Sequence, residues 1–144
     1  MPDFPIPLFP LPNVVHFPDT VLRLHVFEPR YRQMVADLMS LDPGMRWIGM
    51  ALLRPVQPLG DEHLEIFEEG TAGLVTAVEL LPDGRSHIDL RGGFRFLVER
   101  EIEARPYRRA LVRPLPEPEP EGSELEAQAL RLELVRAARS LARE

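Results

Sequence analysis

Histidines, serines and carboxylates are the side chains of this 144-residue sequence whose chemistry could support catalysis. No two of the four histidines have the i, i+4 spacing of a helical zinc site. His25 lies near Glu28 and His87 near Asp89, and a histidine–carboxylate pair can transfer protons. A histidine on or beside a short strand is, however, more often hydrogen-bonded scaffold or plain surface. Because no serine lies in a Gly-x-Ser-x-Gly motif either, the sequence predicts no catalytic residues, no metal site and no cofactor.

The amino-acid composition argues against several classes of enzyme and binding protein. All 17 basic residues are arginine, which excludes mechanisms that need a P-loop lysine or a Ser–Lys dyad. The net charge of −6 disfavours binding to nucleic acid or to an anionic membrane. The sequence has no cysteine and therefore no disulfide. We expect a cytoplasmic protein, because the chain start does not look like a signal peptide and no apolar run approaches the ~20 residues of a membrane span.

The elements that must position any site are predicted to be mainly strands, since 16 prolines disfavour an all-helical bundle. The first run alternates proline with apolar residues, and each proline removes an N–H, so it is predicted to be an edge strand or an extended arm. Gly92 and Gly93 predict a bulge or sharp bend. The apolar runs predict strands at residues 4–12, 21–26, 47–53, 71–81, 86–90, 94–100 and 110–115.

Two helices are predicted. The first begins at Pro29, ends before the turn at 42–44, and has an apolar stripe that predicts a buried face. That stripe consists of Tyr31, Met34, Val35, Leu38, Met39 and Leu41. Residues 1–115 are expected to form one domain, 116–122 a proline–glutamate linker, and 123–144 a C-terminal helix. The apolar and polar faces of this last helix permit a monomer with the helix docked, or a weak dimer.

One ordered set of motifs resembles a known family. The motifs are Pro7-Leu8-Phe9-Pro10-Leu11, Val14-Val15, Phe17-Pro18 and Leu24-His25-Val26-Phe27-Glu28-Pro29-Arg30-Tyr31, followed by Gly73, Asp83-Gly84-Arg85, Gly92-Gly93 with Arg95-Phe96, and Pro106-Tyr107 with Ala110. Residues 4–115, which contain them, resemble the Lon N-terminal domain, also called the Lon substrate-binding domain. The sequence departs from the family at two positions, where the family usually has glycine in place of Asp19 and proline in place of Arg23.

The resemblance implies a mainly β (α+β) fold, a six-stranded PUA-like pseudobarrel with one inserted helix. In full-length Lon proteases a helical region, an AAA+ ATPase and a Ser–Lys peptidase follow this domain. The chain resembles the short stand-alone bacterial relatives, which are often labelled peptidase S16 or ATP-dependent protease. The resemblance therefore implies a non-catalytic module that binds unfolded or hydrophobic polypeptide segments or a partner protein. The proline-rich first strand offers an edge to which a bound strand could be added.

The candidate peptide-binding residues come from the same motifs. They are Phe9, His25, Phe27, Glu28, Arg30, Tyr31 and Arg95. A structural role is the alternative, in which Phe27 anchors the barrel and Glu28 forms a buried bidentate ion pair with Arg30 or Arg95. RNA binding is the second function considered, from the PUA-like fold and from the arginines at 91, 95, 100, 105, 108 and 109. A hydrolase is the third, and the absence of lysine argues against it.

Overall fold

A computed structural model of the chain describes residues 4–55, 57, 64–103 and 106–116, and six strands in it form one sheet that closes on itself. The helix α1 lies between the second and third strands and is followed by a short 3₁₀ helix, Pro43–Met45. The elements are β1 (Phe4–Leu11), β2 (Val21–Val26), α1 (Pro29–Met39), β3 (Trp47–Leu52), β4 (Glu69–Leu80), β5 (Ser86–Ile102) and β6 (Arg109–Pro114).

The sheet closes because β6 pairs back with β5. The ring runs β5–β4–β3–β1–β6, and β2 is attached to β5 outside this ring. All neighbours are antiparallel except β1 and β3, which are parallel. This confirms the six-stranded pseudobarrel with one inserted helix. The expected linker from residue 117 and the C-terminal helix at 123–144 lie outside the described residues.

β1 is an inner strand, so the prediction of an edge strand or extended arm is wrong. Its first half, Phe4–Pro7, pairs with β6, and its second half, Leu8–Leu11, pairs with β3. The strand changes partner at Leu8, whose N–H still donates to the carbonyl oxygen of Arg108 at 2.8 Å. Each neighbour therefore needs backbone N–H groups from only one half of β1.

The prolines of β1 are placed so that neither pairing is interrupted. Backbone groups alternate sides along a strand, and Leu8 points its N–H toward the β6 side. Pro5 and Pro7 consequently face away from β6 in the half that pairs with β6. Pro10 faces away from β3 in the half that pairs with β3, in agreement with the N–H of Leu53 donating to the carbonyl of Leu11 at 3.0 Å. An inner strand tolerates proline when the missing N–H is not part of its ladder.

β5 is a single strand of 17 residues, where two strands were predicted. The predicted bulge is confirmed, because Ala72 of β4 lies opposite Phe94 while its neighbour Gly73 lies opposite Gly92, which leaves Gly93 as the extra residue. The bulge bends the strand without ending its pairing. β5 therefore pairs with β2 before the bulge and with β6 after it.

The helix α1 begins at Pro29, as predicted, and ends at Met39. The stripe Tyr31, Met34, Val35 and Leu38 is buried, but Met39 and Leu41 are exposed, so the prediction of burial is wrong for those two. The buried stripe packs on a core cluster that includes Leu24, Val26, Ile48, Val75, Ile88 and Leu90. A second core cluster is formed by residues of the ring strands, namely Ile6, Leu8, Ala72, Phe96, Ala110 and Val112.

A tight turn at 17–20 leads into β2. The N–H of Thr20 donates to the carbonyl of Phe17 at 3.3 Å, and the Thr20 hydroxyl donates to the same oxygen at 2.7 Å. Asp19 has φ 64°, and with Pro18 before it this is the arrangement of a type II turn. Aspartate tolerates the left-handed region better than most residues, so the turn forms although position 19 is not glycine.

His16 is buried in the same connection. Its Nε2 lies 3.0 Å from the carbonyl oxygen of Thr20, while Nδ1 is buried and has no hydrogen-bond partner among the described residues. Burial lowers the pKa of the His16 imidazole from its ordinary value of 6.5, and the hydrogen bond to Thr20 opposes this in part. The folded protein therefore keeps this ring neutral at pH values where the unfolded chain is protonated.

Lowering the pH below about 6.5 is expected to destabilise the fold through His16. In that range the unfolded chain binds the larger number of protons, so the free energy of unfolding falls as the pH falls, by at most ~1.4 kcal/mol per pH unit for one group. His16→Gln keeps an N–H donor and does not titrate. Urea unfolding at pH 7.5 and pH 5.5 measures how much unfolding free energy each protein loses between the two pH values. The loss should be smaller in the variant, and an equal loss in both proteins would contradict the prediction.

Candidate functional site

A groove of about 330 Å³ lies where the end of β1, the end of β2 and the start of α1 meet. We call it the β1–α1 groove. Six of the seven candidate residues line it, namely Phe9, His25, Phe27, Glu28, Arg30 and Tyr31. The other lining residues are Pro10, Leu11, Pro12, Leu24, Leu53, Leu64 and Arg108. Apolar and aromatic side chains thus dominate the lining, as is usual for sites that bind ligands.

The aromatic part of the lining is a stacked pair. The rings of Phe9 and Tyr31 lie parallel, with centroids 4.2 Å apart and an interplanar angle of 8°. Both side chains are buried, at 5% and 7% exposure. Burial raises the pKa of the Tyr31 phenol, and the guanidinium groups of Arg30 and Arg108 partly offset the effect. Tyr31 therefore presents a neutral ring to the groove.

Phe27 is the exposed aromatic residue of the groove. Its side chain is 54% exposed, so the interpretation that Phe27 anchors the barrel is wrong. The backbone around it is nevertheless fixed, because Arg32 donates its Nε–H to the Phe27 carbonyl at 2.8 Å and Glu28 accepts the first N–H bonds of α1. The His25 ring lies 5.6 Å from the Phe27 ring. A phenylalanine with fixed backbone and free side chain is well suited to contact a ligand.

Glu28 and Arg30 form an ion pair at the surface. Oε2 of Glu28 accepts from Nε of Arg30 at 2.9 Å, and the side chains are 42% and 53% exposed. The prediction of a buried bidentate pair is therefore wrong, and an exposed pair of this kind adds little stability. Cζ of Arg30 also lies 4.9 Å from the centroid of the Tyr31 ring.

Arg95 lies apart from the other six candidates. It is on β5 opposite Thr71 of β4, does not line the groove, and pairs with Glu69 rather than with Glu28. Sequence reasoning placed it in the site because it belongs to the same family motifs. Its cross-strand partner explains it as part of the β4–β5 surface.

Sequence reasoning did not assign Arg108 or Leu64 to this groove, although it considered Arg108 for RNA binding; the two residues come from distant parts of the chain. Nη1 of Arg108 donates to the Leu64 carbonyl at 2.6 Å, and its other nitrogens form a bidentate pair with Glu101 at 2.7 and 2.8 Å. The Arg108 side chain is only 14% exposed, so this pair fixes one wall of the groove. No local pattern signals such a contact. Pro10 and Pro12, by contrast, stand beside Phe9 in a run that the sequence already distinguishes.

The two histidine–carboxylate pairs do not form in the described part of the chain. Glu28 bonds to Arg30, and the carboxylate of Asp89 lies 3.5 Å from Arg23. The His25 ring instead stacks on His87 from the neighbouring strand, with centroids 4.9 Å apart. Within the described residues no group of three or more histidines, aspartates and glutamates could bind a metal ion.

The arginines considered for RNA binding are partly neutralised. Arg95 pairs with Glu69 and Arg108 with Glu101. Arg91 and Arg100 are exposed on β5, and Arg105 lies outside the described residues. No helix in the described ranges is long and apolar enough to cross a membrane.

Comparison with known proteins places this architecture in a family. The profile of the family described as "ATP-dependent protease La (LON) substrate-binding domain" matches residues 5–143. The chain is 28% identical to the Lon protease of Cytophaga hutchinsonii over 130 residues, and 32% identical to that of Chloroherpeton thalassium over 129 residues. These matches cover 89% and 88% of this chain but 16% and 15% of the relatives, so the chain spans about a sixth of their length.

Solved structures agree. The crystal structure of the Lon N-terminal domain protein from Xanthomonas campestris is similar with a TM-score of 0.64 and 27% identity, over 92% of this chain and 75% of that one. The N-terminal domain of the Mycobacterium avium complex Lon protease has a TM-score of 0.62, over 98% of this chain and 76% of that one, and at 14% identity it supports the fold alone. The chain belongs to the Lon substrate-binding domain family.

Proposed function

We propose that this chain is a non-catalytic binding module that takes up exposed hydrophobic segments of unfolded polypeptides in the β1–α1 groove. The observation that supports it most directly is the pairing of a buried aromatic stack, Phe9 on Tyr31, with the half-exposed ring of Phe27 at the same groove. Aromatic residues that are partly exposed beside an apolar cavity are typical anchors of binding sites. The family description names a substrate-binding domain, which agrees with this role.

The ligand we propose is apolar rather than strongly charged. The charged groups of the groove compensate each other, since Arg30 pairs with Glu28 and Arg108 with Glu101. A highly charged ligand would have to compete with these pairs. An apolar side chain would instead displace water from Phe27, Leu64 and Pro12.

Replacing Phe27 by alanine is expected to weaken binding of an unfolded protein by about tenfold, because an aromatic anchor is lost. The probe is fluorescein-labelled α-lactalbumin whose reduced cysteines carry neutral carbamidomethyl groups, and the measurement is fluorescence anisotropy. Folded α-lactalbumin, with its apolar residues buried, should bind far more weakly. No binding of the unfolded probe at high micromolar concentration would overturn the proposed function.

Met45→Ala is the matched control for Phe27→Ala. Met45 is 62% exposed, so the substitution also removes an exposed apolar side chain, but Met45 does not line the groove. Its binding should equal that of the unchanged chain. Equal losses in the two variants would place binding on general surface hydrophobicity and not in the groove.

RNA binding takes the lower place among the proposed functions. The pairing of Arg95 and Arg108 with glutamates and the net charge of −6 both reduce the potential that would attract phosphates. Retention on structured RNA that disappears at high salt would make RNA binding the preferred function.

We also propose that the protein is located in the cytoplasm and that it is a monomer or a weak dimer.

A further inference from the structure

Within the described ranges, the edge of β2 that points away from β5 pairs with no other strand. At one end of the β2–β5 ladder the N–H of Gly92 donates to the Thr20 carbonyl at 2.8 Å. Backbone groups alternate sides along each strand, so the even-numbered residues Leu22, Leu24 and Val26 turn their N–H and C=O groups toward β5. The β4–β5 hairpin independently shows which residues of β5 turn their backbone groups toward β2. There the N–H of Leu81 donates to the Arg85 carbonyl, which places the odd-numbered residues of β5 toward β4 and the even-numbered ones toward β2.

Val21, Arg23 and His25 consequently turn their backbone groups outward. Among the described residues, no hydrogen bond engages the N–H or C=O of these three. All three residues are exposed, and Val21 is 56% exposed. β2 therefore presents three N–H donors and three C=O acceptors in the spacing of a strand ladder, which is a ready template for another strand.

This open edge borders the β1–α1 groove at His25, its last residue. Leu24 and His25 of β2 line the groove together with Pro10 of β1 and Pro12 just beyond it. Neither proline has an N–H to offer, so the β1 side cannot compete with β2 for the backbone of a ligand as a donor. The edge expected from sequence was that of β1. β1 is an inner strand, so within the described residues the edge that borders the groove is that of β2.

We propose that the polypeptide bound in the groove is extended and adds as a strand to the free edge of β2. This proposal rests on the proposed function and specifies its ligand class: segments that can adopt β conformation, without proline at the positions that face β2, and with apolar side chains at alternate positions toward Phe27 and the Phe9–Tyr31 stack. Helical segments are excluded, because their backbone groups are already bonded within the helix.

Arg23→Pro tests the edge directly. Proline at this position removes an N–H that β5 does not use, and an edge strand tolerates proline there. The ion pairs of Arg23 with Glu79 and Asp89 are lost as well, and Arg23→Ala is the reference that loses the same pairs and keeps the N–H. Arg23→Pro is expected to bind the carbamidomethylated α-lactalbumin probe ~10-fold more weakly than Arg23→Ala. Equal affinities would overturn strand addition.

Amide hydrogen exchange tests the proposal on the unchanged chain, whether or not the proline variant folds. In the free protein the amides of Leu22, Leu24 and Val26 should exchange slowly, and those of Val21, Arg23 and His25 quickly. Saturation with the unfolded probe should slow the second set by about tenfold or more. Binding without this slowing would overturn strand addition and leave the proposed function intact. Absence of any binding would overturn both.

Discussion

Gly92→Ala is expected to lower the free energy of unfolding by about 3 kcal/mol or more, because an added Cβ makes its shortest contact at this one of the described glycines. A Cβ at this position would lie 2.1 Å from the carbonyl oxygen of Phe17 and 3.1 Å from Cα of Pro18. These are backbone atoms of the turn that leads into β2. No side-chain rotation can relieve the contact, so the turn must move.

The turn cannot move freely, because it is bonded to Gly92 on both sides. The N–H of Asp19 donates to the Gly92 carbonyl at 2.8 Å, and the N–H of Gly92 donates to the Thr20 carbonyl at 2.8 Å. Displacing the turn therefore weakens two backbone hydrogen bonds and loosens the start of β2. We expect the loss to appear in urea unfolding as a lower midpoint.

Gly44→Ala is the control for this prediction. A Cβ at Gly44 would meet no atom within 4 Å, and the residue lies in the 3₁₀ helix where its φ is not in the left-handed region. The unfolding free energy of Gly44→Ala should stay within ~1 kcal/mol of that of the unchanged chain, or rise slightly because alanine reduces the conformational freedom of the unfolded chain. A loss for Gly44→Ala equal to that for Gly92→Ala would show that the close approach at Phe17 is not the cause.

Local sequence patterns predict an element correctly where its own residues show which face is buried or where it begins. β2 was predicted over its exact range, because polar and apolar residues alternate along it and one face packs on the core. Pro29 fixed the start of α1 for a similarly local reason, since its ring suits the first helical turn and its missing N–H is not needed there. The bulge at Gly93 followed from the glycine pair.

The position of β1 depended on information that the local sequence does not contain. Counting prolines shows how many N–H groups are missing but not toward which neighbour they would have pointed. β1 changes partner from β6 to β3 at Leu8, and Pro5, Pro7 and Pro10 each face away from the partner of their own half. Only the pairing register reveals this, and register is set by the whole sheet.

The candidate site divides in the same way. The contiguous segment from His25 to Tyr31 was found because neighbours in sequence remain neighbours in space, and Phe9 because it belongs to the same family motifs. Arg108 and Leu64 meet through a bond between distant segments. The exposure of Phe27 also could not be predicted, because it depends on how α1 leaves β2 and not on the hydrophobicity of the side chain.

Tyr31→Ala is expected to cost about 3 kcal/mol of folding stability, the range for truncating a buried aromatic residue. Its ring is 7% exposed, stacks on Phe9 at 4.2 Å, and belongs to the core cluster that α1 forms with β2. Phe27→Ala, four residues earlier in the same motif, should change stability by less than ~1 kcal/mol, because that ring is 54% exposed.

The comparison of these two variants separates structure from binding within one motif. Tyr31→Phe keeps the stack and removes the hydroxyl, so it should retain most of the stability that Tyr31→Ala loses, as measured by urea unfolding. Phe27→Ala should bind the probe more weakly although it stays folded. Tyr31→Ala should also bind more weakly, both because part of the protein is unfolded and because the folded part lacks the aromatic stack. Equal stability of Phe27→Ala and Tyr31→Ala would contradict this division. In that case the buried stack would not be what positions α1 against β1.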